Sequence, residues 1–273
     1  MELKISLTGD LGSGKSTVSD IIIRETAAEY YSTGKICRAI ADRHGIDIVA
    51  MNKYMETHPE IDKEIDDGIR ALSDVDRRLI IDSRLAWHFV RDTFKVYMSV
   101  DLEESARRIH RANRATERFE SVGEAATKIR ERKASERQRY LDFYGVDYQD
   151  LTNYSLVIDT TFASPEDVAN VILSTAEEWE RDHTYKGCYL CPNRLYFPEE
   201  GADLAYVHDL AVQLELNEYV PDVTVVEDGG NFYVTDGVAS ALAHVMNDDV
   251  FVPCRLVHGK KPSGRFVRLA NSL

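Results

Sequence analysis

The chain has 273 residues, of which 44% are hydrophobic, and carries a net charge of −14 at pH 7. That is enough apolar material for the core of one large or two modest domains. No run nears the ~18 apolar residues of a membrane helix and Glu2 and Lys4 break any leader, so a soluble cytoplasmic protein without a membrane partner is expected, while the acidic balance argues against nucleic acid, which needs a basic face.

The first element is a strand, in which Leu3, Ile5 and Leu7 alternate with polar residues. It runs directly into Gly9-Asp10-Leu11-Gly12-Ser13-Gly14-Lys15-Ser16-Thr17, and a helical pattern from Val18 to Ala28 follows. GxxxxGKS between a strand and a helix is a phosphate-binding loop. Its glycines let successive backbone N–H groups turn inward, the helix presents its positive end, Lys15 reaches the β- and γ-phosphates, and the Ser16 hydroxyl serves Mg²⁺. Gly9, Gly12, Ser13, Gly14, Lys15, Ser16 and Thr17 are therefore the expected binding set for ATP, with Ser16 as the metal ligand.

Tyr30 to Thr33 reads as a short strand and Lys35 to Gly45 as a helix. Ile46 to Thr57 and Glu60 to Leu72 are two further helices separated by His58-Pro59, with Pro59 where a first helical turn tolerates it. The acids Glu60, Asp62, Glu64, Asp66 and Asp67 read as a solvated face. Leu79 to Ile81 is a buried strand that delivers Asp82-Ser83-Arg84 to its carboxyl end, where open α/β sheets bind ligands. A strand at Phe94 to Val100, helices at Leu102 to Asn113 and Ser121 to Phe143, a strand at Ser155 to Ile158 and a helix at Pro165 to Arg181 complete an alternation that implies a parallel sheet with helices on both faces. Between Arg107 and Arg139 eleven Lys or Arg stand against five Glu, so an anion is expected there. Within that segment Arg132, Glu136 and Arg139 are four and three residues apart and share a helix face.

The run STGKICRAIADRHG, the spacing HPEIDKEID, the turn IDSRLAW, the string RKASERQRYLDFYGVD and the ending YSLVIDTTFASPEDVANVI together resemble the cytidylate kinases of the shorter archaeal and bacterial type, over residues 1 to about 180. The resemblance implies a P-loop nucleoside monophosphate kinase fold with a parallel five-stranded sheet, and CMP or dCMP as the nucleoside monophosphate acceptor. It also implies that Ser32 and Arg38 contact the acceptor's cytosine and phosphate, that Arg84 holds its phosphate, and that Asp82 organises the site or its metal. Arg132, Glu136 and Arg139 match the residues that engage sugar and phosphates, which makes Lys15, Arg132 and Arg139 the expected catalytic cations. Arg107 to Glu124 is the expected lid, with Arg108, Arg111 and Arg114 as its candidate inward-facing arginines.

After Arg181 the alternation stops. Asp182 to Gly187 reads as a linker between a kinase domain (1–182) and a smaller α+β domain (187–273). Cys188-Tyr-Leu-Cys191 has metal-ligand spacing but no second pair, and reads as two small buried residues near a turn; in a cytoplasmic chain the four cysteines are expected as thiols. A loop containing Pro192 and Pro198 leads to a helix at Asp203 to Leu216. A hairpin follows around Asp228-Gly229-Gly230, then a helix at Gly237 to Met246 and a strand at Phe251 to Val257. This order resembles ParB and sulfiredoxin-like domains, whose DGxHR motif stands here as Asp236-Gly237-Val238-Ala239-Ser240, without the His and Arg. The second half is therefore expected to be a binding, regulatory or dimerisation module, contacting a second copy or a protein partner.

The function expected is transfer of the γ-phosphate of ATP to CMP or dCMP. Two alternatives stay open: a nucleotide-sensing regulatory protein built on the kinase fold, and a P-loop kinase with a non-nucleotide acceptor.

Overall fold

The structure, a computed structural model, describes residues 2–46, 54, 58–112 and 119–268. Most of the helix expected between Ile46 and Thr57 lies outside the described residues, as does Arg114. Among the described residues no helix is long and apolar enough to cross a membrane.

All six positions of β1 (Lys4–Gly9) are buried, the pattern of a parallel strand covered on both faces. It lies between β3 (Leu79–Asp82) and β4 (Phe94–Ser99), with β2 (Glu29–Ser32) beyond β3 and β5 (Leu156–Asp159) beyond β4, and all four pairings are parallel. The strand order thus reverses at β1, and its carboxyl end opens the crevice where such sheets hold ligands. Helices α1 (Lys15–Thr26) and α7 (Pro165–Arg181) supply the core on one face, around Ile5, Leu7, Val96 and Ile158. On the other face α2 (Thr33–His44), α3 (Pro59–Ala71) and α4 (Ala86–Phe89) close over Leu79 and Ile81. Helix α7 begins where its sequence marks it, with Pro165 in the first turn and a Ser164–Asp167 capping box. Asp66 departs from the expected solvated face: it is buried, and Tyr144 Oη donates to its carboxylate at 2.8 Å. That bond joins α3 to the end of α6 (Val122–Tyr144), which packs on α5 (Leu102–Ala112) through Ala106, Ala125 and Ile129.

The expectation of a five-stranded sheet is corrected. Among the described residues those five strands form one end of an 11-stranded sheet. Strand β6 (Gly187–Leu190) pairs parallel to β5, and β10 (Val252–Val257) pairs antiparallel to β6. Then follow β8 (Val223–Asp228), β9 (Asn231–Asp236), β7 (Leu195–Pro198) and β11 (Phe266–Arg268). The physical reason lies in β5, which is buried at all four positions; an uncovered edge there would leave backbone N–H and C=O groups unpaired. The segment read as a linker is a tight return, with Thr184 N donating to Asp182 Oδ1 at 2.9 Å, that sets Gly187 opposite Leu156. Short runs broken by prolines hid β6 and β7 from a reading of periodicity.

The two halves also share a core. Trp87, Tyr97, Tyr148 and Tyr154 pack in one cluster with Leu190, Phe197, Phe232 and Val252. Cys188 is part of it, and burial pushes the thiols of Cys188 and Cys191 up; among the described residues no group of three or more His, Cys, Asp or Glu gathers to hold a metal. Arg194 seals the junction while almost wholly buried. Its Nη1 donates to Asp101 Oδ2 at 3.1 Å and its Nη2 to the carbonyl of Gly230 at 3.1 Å, with Nε 3.5 Å from Asp159 Oδ1. Gly230 belongs to the β8–β9 turn, where Gly229 and Gly230 have φ of 62° and 84°, as a two-residue hairpin turn requires. Helices α8 (Leu204–Glu215) and α9 (Val238–Met246) form an outer layer, packed on each other through Val207, Leu210, Ala211 and Ala243.

Candidate active site

The phosphate-binding loop leaves β1 under close steric constraint. Gly9 has φ 152°, and a Cβ there would stand 2.3 Å from the carbonyl oxygen of Met98, which instead accepts a bond from Asp10 N at 2.9 Å. Gly14, with φ 82°, caps α1 in the left-handed region. The loop is closed internally by Ser13 Oγ, which donates to Asp10 O at 2.9 Å, and Ser105 Oγ holds Leu11 O at 2.6 Å from α5. Lys15 Nζ donates to the carbonyls of Gly9 at 3.1 Å and Asp10 at 2.9 Å. Burial, reinforced by the nearby Arg84 guanidinium, pushes its ammonium down to about 8.

Opposite Lys15, the carboxyl end of β3 presents Asp82 and Arg84. Asp82 accepts from Tyr30 Oη at 2.9 Å, and Ser32 is its register partner on β2, so these two expected residues meet at the sheet edge. Burial and the Asp82 carboxylate push the Tyr30 phenol up to about 12. Arg84 Nη1 donates to the carbonyl of Gly9, and its Nε donates to Glu136 Oε2 at 3.1 Å. Glu136 takes a second cation on its other oxygen, Arg132 Nε at 2.9 Å. Burial alone would raise the Glu136 carboxyl, but Arg84 and Arg132 hold it down at about 2.

Lys15, Arg84, Glu136 and Arg132 therefore form one connected set. Arg139 is placed differently within it. Its guanidinium lies over the Tyr140 ring at 5.2 Å and bonds the phenol at 3.4 Å, although its charge still helps to hold Glu136 down. Arg38 falls on α2, and its side chain lies outside the described residues.

One contact had not been singled out in the sequence. Lys133 Nζ reaches Asp10 Oδ1 at 2.7 Å, and the same carboxylate accepts from Tyr97 Oη at 2.9 Å and Val100 N at 3.2 Å. A signal was present: Lys133 stands three residues before Glu136, on the same helical face. Of the arginines expected in the lid, Arg108 turns toward the phosphate-binding loop. It donates to the carbonyls of Gly12 at 3.2 Å, Thr160 at 2.7 Å and Thr161 at 3.0 Å, whereas Arg111 is exposed. A cavity of about 320 Å³ lies beside it, lined by Gly14, Thr17, Val18, Thr160, Ala163 and Pro165 among others.

The donor chemistry fits Mg²⁺. Ser16 is exposed in the first turn of α1, and a single hydroxyl beside an anion-binding loop suits an ion that takes most of its ligands from phosphates and water.

A family model described as the cytidylate kinase-like family matches residues 4–162. The cytidylate kinase of Thermoplasma volcanium is 36% identical over 187 residues, covering 67% of this chain and 96% of that protein. That of Sulfolobus acidocaldarius is 38% identical over 174 residues, covering 63% and 92%. An S-adenosylmethionine-dependent nucleotide dehydratase of Lacinutrix mariniflava is 37% identical over 174 residues, covering 63% of this chain and 36% of that protein.

Proposed function

The chain belongs to the cytidylate kinase-like family, as an ATP-dependent phosphotransferase of the nucleoside monophosphate kinase class, and from that membership we propose that its acceptor is CMP or dCMP. The observation that supports the reading best is the double attachment of Arg84. One guanidinium joins the Gly9 carbonyl of the triphosphate loop to Glu136 on α6, so donor and acceptor sides share a cation.

Phosphoryl transfer asks little covalent work of the protein; it asks that two polyanions be held in line while charge spreads over the moving group. Gly9, Gly12, Ser13, Gly14 and Thr17 hold the triphosphate of ATP through the loop and the first turn of α1, and Lys15 bridges its β- and γ-phosphates. Arg108 closes the cavity beside Gly14, which takes the donor nucleoside. Arg84, Arg132 and Arg139 face the acceptor phosphate and the transferring group, with Glu136 fixing the first two. Ser32 and Arg38 read the acceptor, and Asp82 organises its edge of the site. Ser16 would hold Mg²⁺ together with the phosphates, and the ion would supply charge neutralisation at the transferring group. The α5–α6 segment acts as the lid that excludes water. The chemistry resides in residues 1–182, and residues 187–273 serve binding or regulation.

The test is ADP production by the purified protein with ATP, Mg²⁺ and a panel of CMP, dCMP, UMP, AMP and GMP. Turnover with CMP or dCMP at least ~10-fold above the others is expected; equal or absent turnover with both would refute the acceptor assignment.

A further inference from the structure

The outer helix α8 is apolar on two faces, and among the described residues only one has a partner within the chain. Val207, Leu210 and Ala211 are buried against α9. On the opposite side Leu204, Val212 and Leu216 are 75%, 42% and 63% exposed, and Tyr219 just beyond the helix is 80% exposed. Leu204, His208, Val212 and Leu216 follow one another at intervals of four, which makes a continuous ridge of the kind that packs into the groove of another helix. Asn247 Nδ2 donates to Ala211 O at 2.9 Å, so the end of α9, with the half-exposed Met246, lies alongside. Contiguous apolar surface of this kind marks an interaction site.

The charges around the ridge identify the occupant. From Glu199 to Asp222 there are seven acidic residues and no Lys or Arg. Of these, Glu199 pairs with Arg265, and Asp203 caps α8. Among the described residues Asp209, Glu215 and Glu218, which flank the ridge, have no ion-pair partner. A second copy of α8 would bring the same acids against them. The chain's own basic helix, α6, already spends its apolar positions Ala125 and Ile129 internally and its Lys133 and Arg132 on the active site.

We propose that this face of α8 is the docking site for a basic amphipathic helix of a different protein, whose apolar side covers Leu204, Val212 and Leu216 and whose Lys or Arg residues meet Asp209, Glu215 and Glu218. The helix-on-helix mode accounts for the fourfold spacing of the ridge, and the acidic margin selects the partner's sign.

The experiment uses the full chain and two labelled model peptides of about five helical turns, one of Leu and Lys and one of Leu and Glu in the same amphipathic order. Fluorescence anisotropy is expected to show micromolar binding of the Leu/Lys peptide alone, and hydrogen exchange to show protection centred on α8. Binding is expected to weaken at least ~10-fold both in Val212→Ser/Leu216→Ser and in Asp209→Lys/Glu215→Lys, while ADP production by either variant stays at the wild-type rate. The proposal is overturned if the Leu/Lys peptide fails to bind, if either variant binds it as tightly as wild type, or if the Leu/Glu peptide binds equally well. It is also overturned if sedimentation reveals a dimer that Val212→Ser/Leu216→Ser abolishes, since the ridge would then belong to a second copy.

Discussion

Lys133 Nζ lies 2.7 Å from Asp10 Oδ1, so the helix that carries Arg132 and Glu136 is fastened to the phosphate-binding loop itself. A carboxylate in a loop built to hold polyphosphate opposes its ligand unless it is neutralised. Burial pushes the Asp10 carboxyl up, but Lys133 with the bonds from Tyr97 and Val100 outweighs it and keeps the group below its ordinary value. The pair therefore neutralises the Asp10 carboxylate and ties α6 to the loop that carries Lys15.

Lys133→Met is expected to lower kcat/KM for ATP about 10-fold, because it leaves the Asp10 carboxylate buried without its cation. The double variant with Asp10→Asn is expected to recover most of that loss. A double-mutant cycle should return a coupling of about 1–2 kcal/mol; strictly additive losses would show that the two side chains act separately.

The Glu136 pair with Arg84 makes stability depend on acid. A carboxyl lowered from 4.5 to about 2 contributes stability that is complete above the ordinary value and disappears as pH falls from about 4.5 to about 2. At neutral pH that contribution is of order 3 kcal/mol at ~1.4 kcal/mol per unit. In urea titrations the gap between wild type and Glu136→Gln should close across this window. A gap that persists unchanged at pH 2 would contradict the assignment.

Lys15 sets an alkaline limit. With its ammonium pushed down to about 8, the free enzyme loses that charge above this pH, and kcat/KM for ATP should fall on a limb centred there. The stability sign is opposite to that of Glu136: burying the charged Lys15 costs stability below pH about 8, and the cost is relieved as pH rises toward 10.5. Lys15→Ala should abolish transfer without unfolding the chain, and a Lys15→Ala protein that kept wild-type turnover would refute its role.

The shared core makes truncation costly. Residues 1–182 alone would expose Tyr97, Tyr148 and Tyr154 on the face now covered by Phe197, Phe232 and Val252. Removing the guanidinium in Arg194→Met leaves Asp159 buried without its cation, while Asp101 keeps Arg268, a change worth about 3–5 kcal/mol. The fragment is expected to melt well below the full chain and to lose activity at growth temperature, and Arg194→Met to lower the urea midpoint. A fragment as stable and active as the whole would show that the halves are energetically independent.

Much of the first half was legible because its signals are local. Ser164 and Pro165 mark the start of α7, and Pro59 marks that of α3. The alternation of Leu3, Ile5 and Leu7 marks β1. The β8–β9 hairpin was legible from its two glycines. The strands β6, β7 and β11 were not, since four residues or fewer, two of the strands bordered by prolines, carry no readable period, and what holds them is a distant partner. Asp66 reads as one more acid on a polar face until Tyr144, 78 positions away, is seen to bond it.

By itself the sequence determined the phosphate-binding loop, the order of the kinase-half elements, the Arg-Glu-Arg face of α6 and the family resemblance, because each rests on contiguous residues or a fixed helical spacing. Only the tertiary structure decided which cations serve which loop and how far the sheet extends. Lys133 meets Asp10 across 123 positions, Arg108 turns to Gly12 rather than to solvent, and β6 lies on β5 to merge two expected sheets into one. Periodicity states which side of an element is apolar; it carries no record of the element that covers it, and that pairing depends on the path of the whole chain.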